Sequence, residues 1–206
     1  MKQKLTILIA LFFTFNALYS QNNSSTKIPK GLAALSFVAA DADRKAISKE
    51  ISQFRSKEYI VKYLIKQTAG KEVKFETENL AADDDAGLIS TAFNCNAVKE
   101  KGLLLAFFGN NRNESGVIGT AYGFRYIPLD TAKELLNKIE KIKETHNKYI
   151  SSASEVNNVY LEFEDIKFII YKDGGTKVRT LWNGFEVIWE RNTFDRTKRR
   201  LEKWFE

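Results

Sequence analysis

Cysteine, proline and histidine are scarce in this chain of 206 residues, which contains one cysteine, two prolines and one histidine. Cys95 therefore has no partner for an internal disulfide, and the fold must rest on a hydrophobic core. One cysteine and one histidine also fall short of the four ligands of a closed zinc site, so we expect no metal and no other cofactor. Hydrophobic residues make up 44% of the chain, which is typical of a packed globule rather than of a disordered linker.

Long apolar runs are also scarce. The first apolar run of the chain, Leu5–Phe15, is too short to cross a bilayer. Lysines precede it and the polar residues Tyr19, Ser20 and Gln21 follow it, in the order that is typical of an export signal. We predict cleavage after Ser20, which makes residues 1–20 a signal peptide; a retained membrane anchor is the alternative. No cysteine lies near the cut to carry a lipid anchor.

The predicted signal places the mature chain outside the cytoplasm, either in the periplasm or in the medium as a secreted protein. Residues 21–30 are expected to form a flexible polar tether, and residues 31–206 a single globular domain. We expect the partner to be an envelope or extracellular component, with no stable membrane insertion after cleavage.

A large excess of either charge is absent. The formal net charge is +6, and it falls by two to +4 when Lys2 and Lys4 leave with the signal. Six cations near the end of the chain would suit nucleic acid, anionic lipid or an acidic polymer. They are Arg191, Arg196, Lys198, Arg199, Arg200 and Lys203. We favour a solvated helix face and expect no nucleic acid partner, because no recognition motif accompanies the charge.

Short apolar segments separated by turn residues predict two sets of antiparallel strands. The first set is Tyr59–Lys66, Val73–Leu80, Leu88–Val98, Leu103–Phe108 and Val117–Tyr126. The second set is Val159–Phe163, Ile166–Tyr171, Lys177–Trp182 and Phe185–Glu190. Asn183 and Gly184 join the last two strands, and this pair predicts a type I′ hairpin with Trp182 opposite Phe185, since both turn positions need positive φ.

Helical periodicity is predicted in three segments between and around these strands. An amphipathic helix capped by Asp41 or Asp43 is expected to end near Arg55. Thr131–Glu134 has the pattern of a capping box and begins a second helix after the first set of strands. A third helix, from about Thr193 to Phe205, is expected to pack on the tryptophan face of the last hairpin.

These elements predict the α+β class, in which an antiparallel sheet of meander and hairpins carries packed helices. Strands followed by a helix occur twice, which suggests two degenerate strand-strand-strand-helix halves.

Two groups of side chains could carry chemistry, but for both we expect a purely structural role. Cys95 and His146 would make a nucleophilic pair, but Cys95 shares a strand face with Phe93 and is expected in the core, where a thiol is inert. Asp83–Asp85 would supply oxygen ligands for calcium, but the spacing matches no calcium loop, and a solvated turn is expected.

Aromatic residues of the second set of strands would also suit a sugar-stacking platform. Its members would be Trp182, Trp189 and Tyr171. The hairpin register turns both tryptophans towards the terminal helix, so we expect them to be structural.

The loop between Leu103–Phe108 and Val117–Tyr126 is the preferred contact surface. Glycines at both ends and polar side chains between them give adaptable hydrogen bonding on a rigid base, which is where binding residues tend to lie. The predicted binding residues are Asn110, Asn111, Arg112, Asn113 and Glu114.

No catalytic motif stands out in the sequence, so we expect a soluble extracytoplasmic binding or interaction protein. The alternative is a hydrolase that acts through carboxylates drawn from Glu162, Glu164, Asp165 and Glu186. Two carboxyl groups that converge in a cleft would favour the hydrolase, whereas a closed surface with an apolar or basic patch would favour the binding protein.

Overall fold

The computed structural model describes residues 36–38, 43–66, 70–82, 87–112 and 115–206. Every described residue belongs to one compact unit, Gly31–Glu206. The predicted signal peptide, the tether and the turn Asp83–Asp85 lie outside the described residues. Among the helices that are described, none is both long and apolar enough to span a bilayer.

A continuous helical segment, residues 44–65, follows the short strand β1 (Ser36–Phe37). It consists of α1 (Arg44–Glu50), the π-helical turn Ile51–Arg55, α2 (Ser56–Tyr59) and the π-helical stretch Ile60–Ile65. Asp43 caps the segment, which confirms one of the two predicted caps. Its Oδ1 accepts hydrogen bonds from the backbone N–H groups of Lys45 at 3.0 Å and Ala46 at 3.4 Å.

The predicted strand Tyr59–Lys66 is wrong, because almost all of this stretch is helical. Its β-branched and aromatic residues favour extended backbone when each is judged by propensity alone. In the fold Tyr59, Ile60 and Ile65 are buried together against the sheet. Burial of one helical face outweighs the weaker intrinsic preference.

Four antiparallel strands then form the first meander, in which each strand pairs with the next along the chain. They are β2 (Glu76–Ala81), β3 (Gly87–Cys95), β4 (Glu100–Arg112) and β5 (Ile118–Pro128). β4 continues beyond the predicted end at Phe108 as far as Arg112. The predicted contact loop is therefore shorter than the sequence suggested.

Two helices, α3 (Leu129–Thr145) and α4 (Asn147–Ser152), follow the first meander. The predicted capping box at Thr131–Glu134 is wrong, because α3 begins directly after Pro128, which has no side chain able to cap it. The extended backbone of Pro128 ends β5 and leads into the helix.

The second meander contains β6 (Val159–Phe163), β7 (Ile166–Asp173), β8 (Gly175–Trp182) and β9 (Phe185–Trp189), and α5 (Arg191–Trp204) follows it. The predicted hairpin is confirmed. Asn183 and Gly184 have φ values of 45° and 80°, and Trp182 pairs with Phe185.

All nine described strands belong to one sheet, which has the order β1-β5-β4-β9-β8-β7-β6, with β3 and then β2 added beside β4. β4 and β9 contribute a single residue pair, Asn111 with Phe185, so the two meanders are nearly separate in their backbone pairing. The α+β class with an antiparallel sheet is confirmed.

Apolar side chains form two cores, one on each side of the first meander. The main core lies between the first meander, the second meander, α3 and α5, and includes Phe107, Trp189 and Phe194. The outer core lies between the first meander and the helical segment 44–65, and includes Ile51 and Phe93. Strands β3, β4 and β5 are therefore buried on both faces.

Candidate functional site

The predicted contact loop is divided between the end of a strand and residues outside the described part of the chain. Asn110, Asn111 and Arg112 are the last residues of β4, whereas Asn113 and Glu114 are not among the described residues. Asn110 and Arg112 are exposed, and Asn111 is only 1% exposed. Of the three predicted binding residues that the structure describes, Asn111 thus lies inside the protein.

Asn111 and Arg112 attach the first meander to the turn between β8 and β9. The Asn111 Nδ2 donates to the Asn183 carbonyl oxygen at 2.9 Å, and the Arg112 N–H donates to the Gly184 carbonyl oxygen at 3.0 Å. A buried amide with a satisfied donor stabilises the contact between two elements and leaves little of the side chain for a ligand.

Cys95 and His146 are not brought together. Cys95 is buried in the outer core, where its Sγ donates to the Lys74 carbonyl oxygen at 3.5 Å. His146 is exposed between α3 and α4, and these helices pack on the main core. The first meander separates the two residues, so the structure forms no nucleophilic pair from them.

The three aromatic residues of the platform hypothesis do not form an exposed surface. Trp182 and Trp189 are buried in the main core, as the hairpin register predicted. The Trp189 ring meets the Phe194 ring of α5 edge to face, with a centroid separation of 5.1 Å. Tyr171 is also buried overall, but it lies on the opposite face of the second meander.

The candidate carboxylates Glu164 and Asp165 converge on a buried cation. Arg125 of β5 has a side chain that is 5% exposed, and its Nε donates to Asp165 Oδ1 at 2.9 Å while its Nη2 donates to Glu164 Oε2 at 2.5 Å. The other Asp165 oxygen accepts the Trp182 Nε1–H at 2.9 Å, and Arg125 Nη1 donates to the Tyr126 carbonyl oxygen at 2.6 Å. This network attaches the tip of the β6–β7 hairpin to the first meander.

A groove, here called the outer groove, crosses the face of the second meander that is turned away from the main core. Its volume is about 600 Å³. Strands β6, β7 and β8 and the segment before β6 provide its lining, and no described helix contributes to it. The lining residues are Glu155, Asn158, Tyr160, Ile169, Tyr171, Asp173 and Arg179.

Tyrosine side chains contact charged groups in the outer groove. The Arg179 guanidinium lies 5.6 Å from the centre of the Tyr171 ring, and its Nη1 donates to Glu186 Oε1 at 2.9 Å. Tyr160 is 57% exposed, and its hydroxyl donates to Glu162 Oε2 at 2.8 Å, which raises the pKa of Tyr160.

A second ion pair includes Asp173, one of the lining residues of the groove. Lys177 Nζ lies 2.9 Å from Asp173 Oδ2, and this hydrogen bond raises the pKa of Lys177. Both members of the pair are partly exposed, so a ligand can compete for either group without uncovering a buried charge.

The chemistry of the outer groove suits reversible binding of a polar ligand. Its lining offers carboxylates, an amide, a guanidinium and tyrosine rings, but neither a thiol nor an imidazole. Within the described part of the chain, no cluster of three or more acidic, histidine or cysteine side chains could hold a metal ion.

Two smaller cavities are less suitable for a ligand. One, of about 140 Å³, lies between the helical segment 44–65 and β5, and it is smaller than the roughly 300–1,000 Å³ of ordinary ligand sites. The other, of about 440 Å³, lies chiefly between α3 and α5, where Lys143 and Asp195 form an ion pair at 2.9 Å. It has no aromatic residue in its lining.

Several cations of α5 take part in local contacts. Lys198 pairs with Glu140 at 3.0 Å and with Glu202 at 2.9 Å. Arg200 Nη1 donates to the carbonyl oxygens of Asn79 at 3.3 Å and Leu80 at 3.0 Å. Lys198 and Arg200, two of the six cations of the basic stretch, are therefore engaged by groups of the protein itself.

Sequence reasoning missed the outer groove, because its lining comes from three strands and an irregular segment that meet only in the fold. The available signal was the alternation in β6, where Tyr160 and Glu162 follow each other on one face. In the sequence this alternation indicates a half-exposed strand and no particular ligand.

Comparisons of this chain with models of known protein families, with curated proteins and with solved structures find no match.

Proposed function

We propose that this chain is an extracytoplasmic binding protein that holds a polar envelope or extracellular component in the outer groove. Export by a signal peptide cleaved near Ser20 is part of the proposal, and the basic, apolar and polar order of residues 1–21 supports it. The predicted loop residues Asn110–Glu114 are not the favoured contact surface, since Asn111 is buried.

The observation that carries the proposal is the position of the outer groove. Both faces of the first meander and the inner face of the second are buried in the two cores. Neither core of the described residues includes the outer face of the second meander, and the largest of the three cavities described above lies on it. A concave surface with an exposed aromatic ring and a few polar groups is the usual form of a binding site.

A hydrolase that acts through carboxylates is the weaker alternative. Such an enzyme needs one carboxyl group to exchange a proton and a second placed across the substrate. All four candidate carboxylates already have partners. Glu164 and Asp165 contact Arg125, Glu186 contacts Arg179, and Glu162 accepts a hydrogen bond from Tyr160. These contacts support binding over hydrolysis.

We also propose that the domain is a degenerate duplication of two strand-and-helix halves. Strands β2–β5 precede α3, and strands β6–β9 precede α5, which is the same order of elements in each half. No repeat at the residue level accompanies this order, so the proposal rests on the elements alone.

The binding proposal is tested with the mature protein, residues 21–206, on arrays of glycans and short peptides. For any ligand retained, Tyr160→Ala is expected to raise the dissociation constant about tenfold or more, because a single aromatic contact often dominates a small site. The matched control is Tyr149→Ala, since Tyr149 is 51% exposed, close to the 57% of Tyr160, and does not line the groove.

Equal binding by wild type and Tyr160→Ala would contradict the groove as the site. Turnover of a retained ligand that disappears in Asp165→Asn would instead favour the hydrolase. Export is tested separately by N-terminal sequencing of extracytoplasmic material, which should begin at Gln21. Recovery of intact Met1 in the membrane fraction would contradict cleavage.

A further inference from the structure

Among the described strands, β6 lies at one end of the sheet and pairs with β7 alone. The two strands are joined by the two-residue turn Glu164-Asp165, so the flanking pair Phe163 and Ile166 exchanges hydrogen bonds. Alternate residues of β6 therefore direct their backbone groups to β7. Tyr160 and Glu162 lie between those residues and present their N–H and C=O groups at the free edge.

The other terminal strands of the described sheet are protected. Arg200 of α5 donates to the Asn79 and Leu80 carbonyl oxygens of β2, and the register of β2 shifts between Asn79 and Ala81. β1 contains only two residues. Such coverage, irregularity and shortness are the usual means by which proteins prevent edge-to-edge pairing.

In the described part of the chain, β6 has none of these protections. Its ladder with β7 is regular over all five residues, and it contains neither proline nor lysine. On the inner face Val159 and Leu161 are only partly buried where they pack on the main core, and on the outer face Tyr160 is 57% exposed. An unprotected edge with half-covered apolar side chains favours the addition of another strand.

The sequence of β6 is complementary to itself in one antiparallel register. With Leu161 opposite Leu161 of a second copy, Tyr160 lies opposite Glu162, and the outward backbone groups of both residues meet in hydrogen-bonding positions. Tyr160 and Glu162 already form a 2.8 Å hydrogen bond within one chain, so their side chains are compatible neighbours. Centring on Glu162 would place two carboxylates opposite each other, which is unfavourable.

We propose that β6 pairs with β6 of a second copy of this chain about Leu161, and that the two sheets join into one. Four backbone hydrogen bonds close the interface, from Tyr160 and Glu162 of each copy. The pairing extends the main core through Val159 and Leu161. It does not depend on the outer groove having a ligand, but it places both grooves on the same side of the joined sheet, because the twofold axis is perpendicular to the sheet.

Disulfide trapping tests the register directly. Leu161 lies on the axis in a non-hydrogen-bonded pair, where opposing Cβ atoms are about 4.5–5.5 Å apart, close enough for a disulfide after a small adjustment. Leu161→Cys of the mature protein, with oxidised glutathione as the oxidant, should give a covalent dimer. Lys167→Cys is the control, because Lys167 is exposed on β7, one strand away from the axis, and should remain monomeric on a non-reducing gel.

Sedimentation equilibrium tests the edge itself. Wild type should have the mass of a dimer, and Tyr160→Pro should dissociate about tenfold more readily, because proline removes an outward N–H in each copy and leaves the ladder with β7 intact. A wild type that is monomeric at all concentrations would overturn the proposal. So would a dimer in which Leu161→Cys does not cross-link, since another surface would then hold it.

Discussion

At the residue scale, the buried hydroxyl of Tyr126 makes the stability of the fold depend on pH. The ring lies in the outer core, and the hydroxyl donates to Glu100 Oε2 at 3.0 Å. Burial, reinforced by the nearby Glu100 carboxylate, raises the pKa of Tyr126 well above its usual value of about 10. Burial also raises the pKa of Tyr59, which lies in the same core.

Stability is therefore predicted to decrease as the pH rises above about 10. In that range the unfolded chain loses the tyrosine proton while the folded protein keeps it. The contribution of the Tyr126 hydroxyl to the free energy of unfolding is therefore complete below the pKa of the unfolded state, and it is lost as the pH rises towards the pKa of the folded state. Urea unfolding at a series of pH values should show a shallower alkaline decrease for Tyr126→Phe than for wild type. Tyr149→Phe alters an exposed tyrosine and should follow wild type; identical curves for all three proteins would contradict the prediction.

The position of Arg125 could be predicted from the sequence, but its hydrogen-bond partners could not. Its place among apolar residues of β5 gives it an inward position, which a strand pattern can indicate. Its partners Glu164 and Asp165 lie about forty positions later along the chain, and only the fold brings them within hydrogen-bond distance. Cys95 was easier to predict, because its neighbours on the same strand were enough to place it in a core.

At the scale of elements, the turn between β8 and β9 depends on glycine at position 184 for two reasons. Gly184 has a φ of 80°, which side chains with a Cβ rarely adopt. A Cβ there would also lie 2.5 Å from the Arg112 carbonyl oxygen and 3.0 Å from Asn111 Nδ2. Gly174, in the turn between β7 and β8, has a φ of 64° but nothing within 4 Å of the same position.

Gly184→Ala is predicted to destabilise the protein by about 2–4 kcal/mol, and Gly174→Ala by only about 1 kcal/mol. Both variants introduce a strained backbone, but the first also pushes the end of β4 away from the turn. Urea unfolding measures the difference. Equal losses would contradict an added cost from the close approach of Arg112 and Asn111 to position 184.

Strands were predicted best from the sequence where turn residues mark their ends. Three of the four strands of the second meander begin where the sequence placed them, and two of these, β7 and β9, follow two-residue turns. The helical stretch Ile60–Ile65 was missed because its residues have strand propensity and become helical only by packing on β3–β5. The outer groove was missed for a related reason: its shape depends on how three strands lie side by side.

At the scale of the whole molecule, α5 covers the main core on which both meanders depend. Phe194 and Leu201 of α5 are fully buried, and Trp189 packs against Phe194. Thr197 also forms a 2.6 Å hydrogen bond with Ser90 of β3, so the helix contacts both halves of the sheet. Loss of α5 would leave this apolar surface in water.

Trp189→Ala is predicted to cost about 3–5 kcal/mol, and deletion of all residues after Arg191 should give an aggregating chain. Trp189→Phe is the matched control. It keeps an aromatic ring and removes an indole N–H that has no hydrogen-bond partner among the described residues, so its cost should be clearly smaller. Thermal melts compare the three variants; a midpoint unchanged in Trp189→Ala would contradict a structural role for this tryptophan.

The position of the first meander between two cores has a consequence for hydrogen exchange. The helical segment 44–65 covers the outer core alone, so it can open without exposing the main core or the outer groove. Its amides should exchange through this local opening, faster than those of β3–β5, which exchange only when the whole domain unfolds. The helical segment 44–65 would then unfold locally while the proposed binding face stays folded.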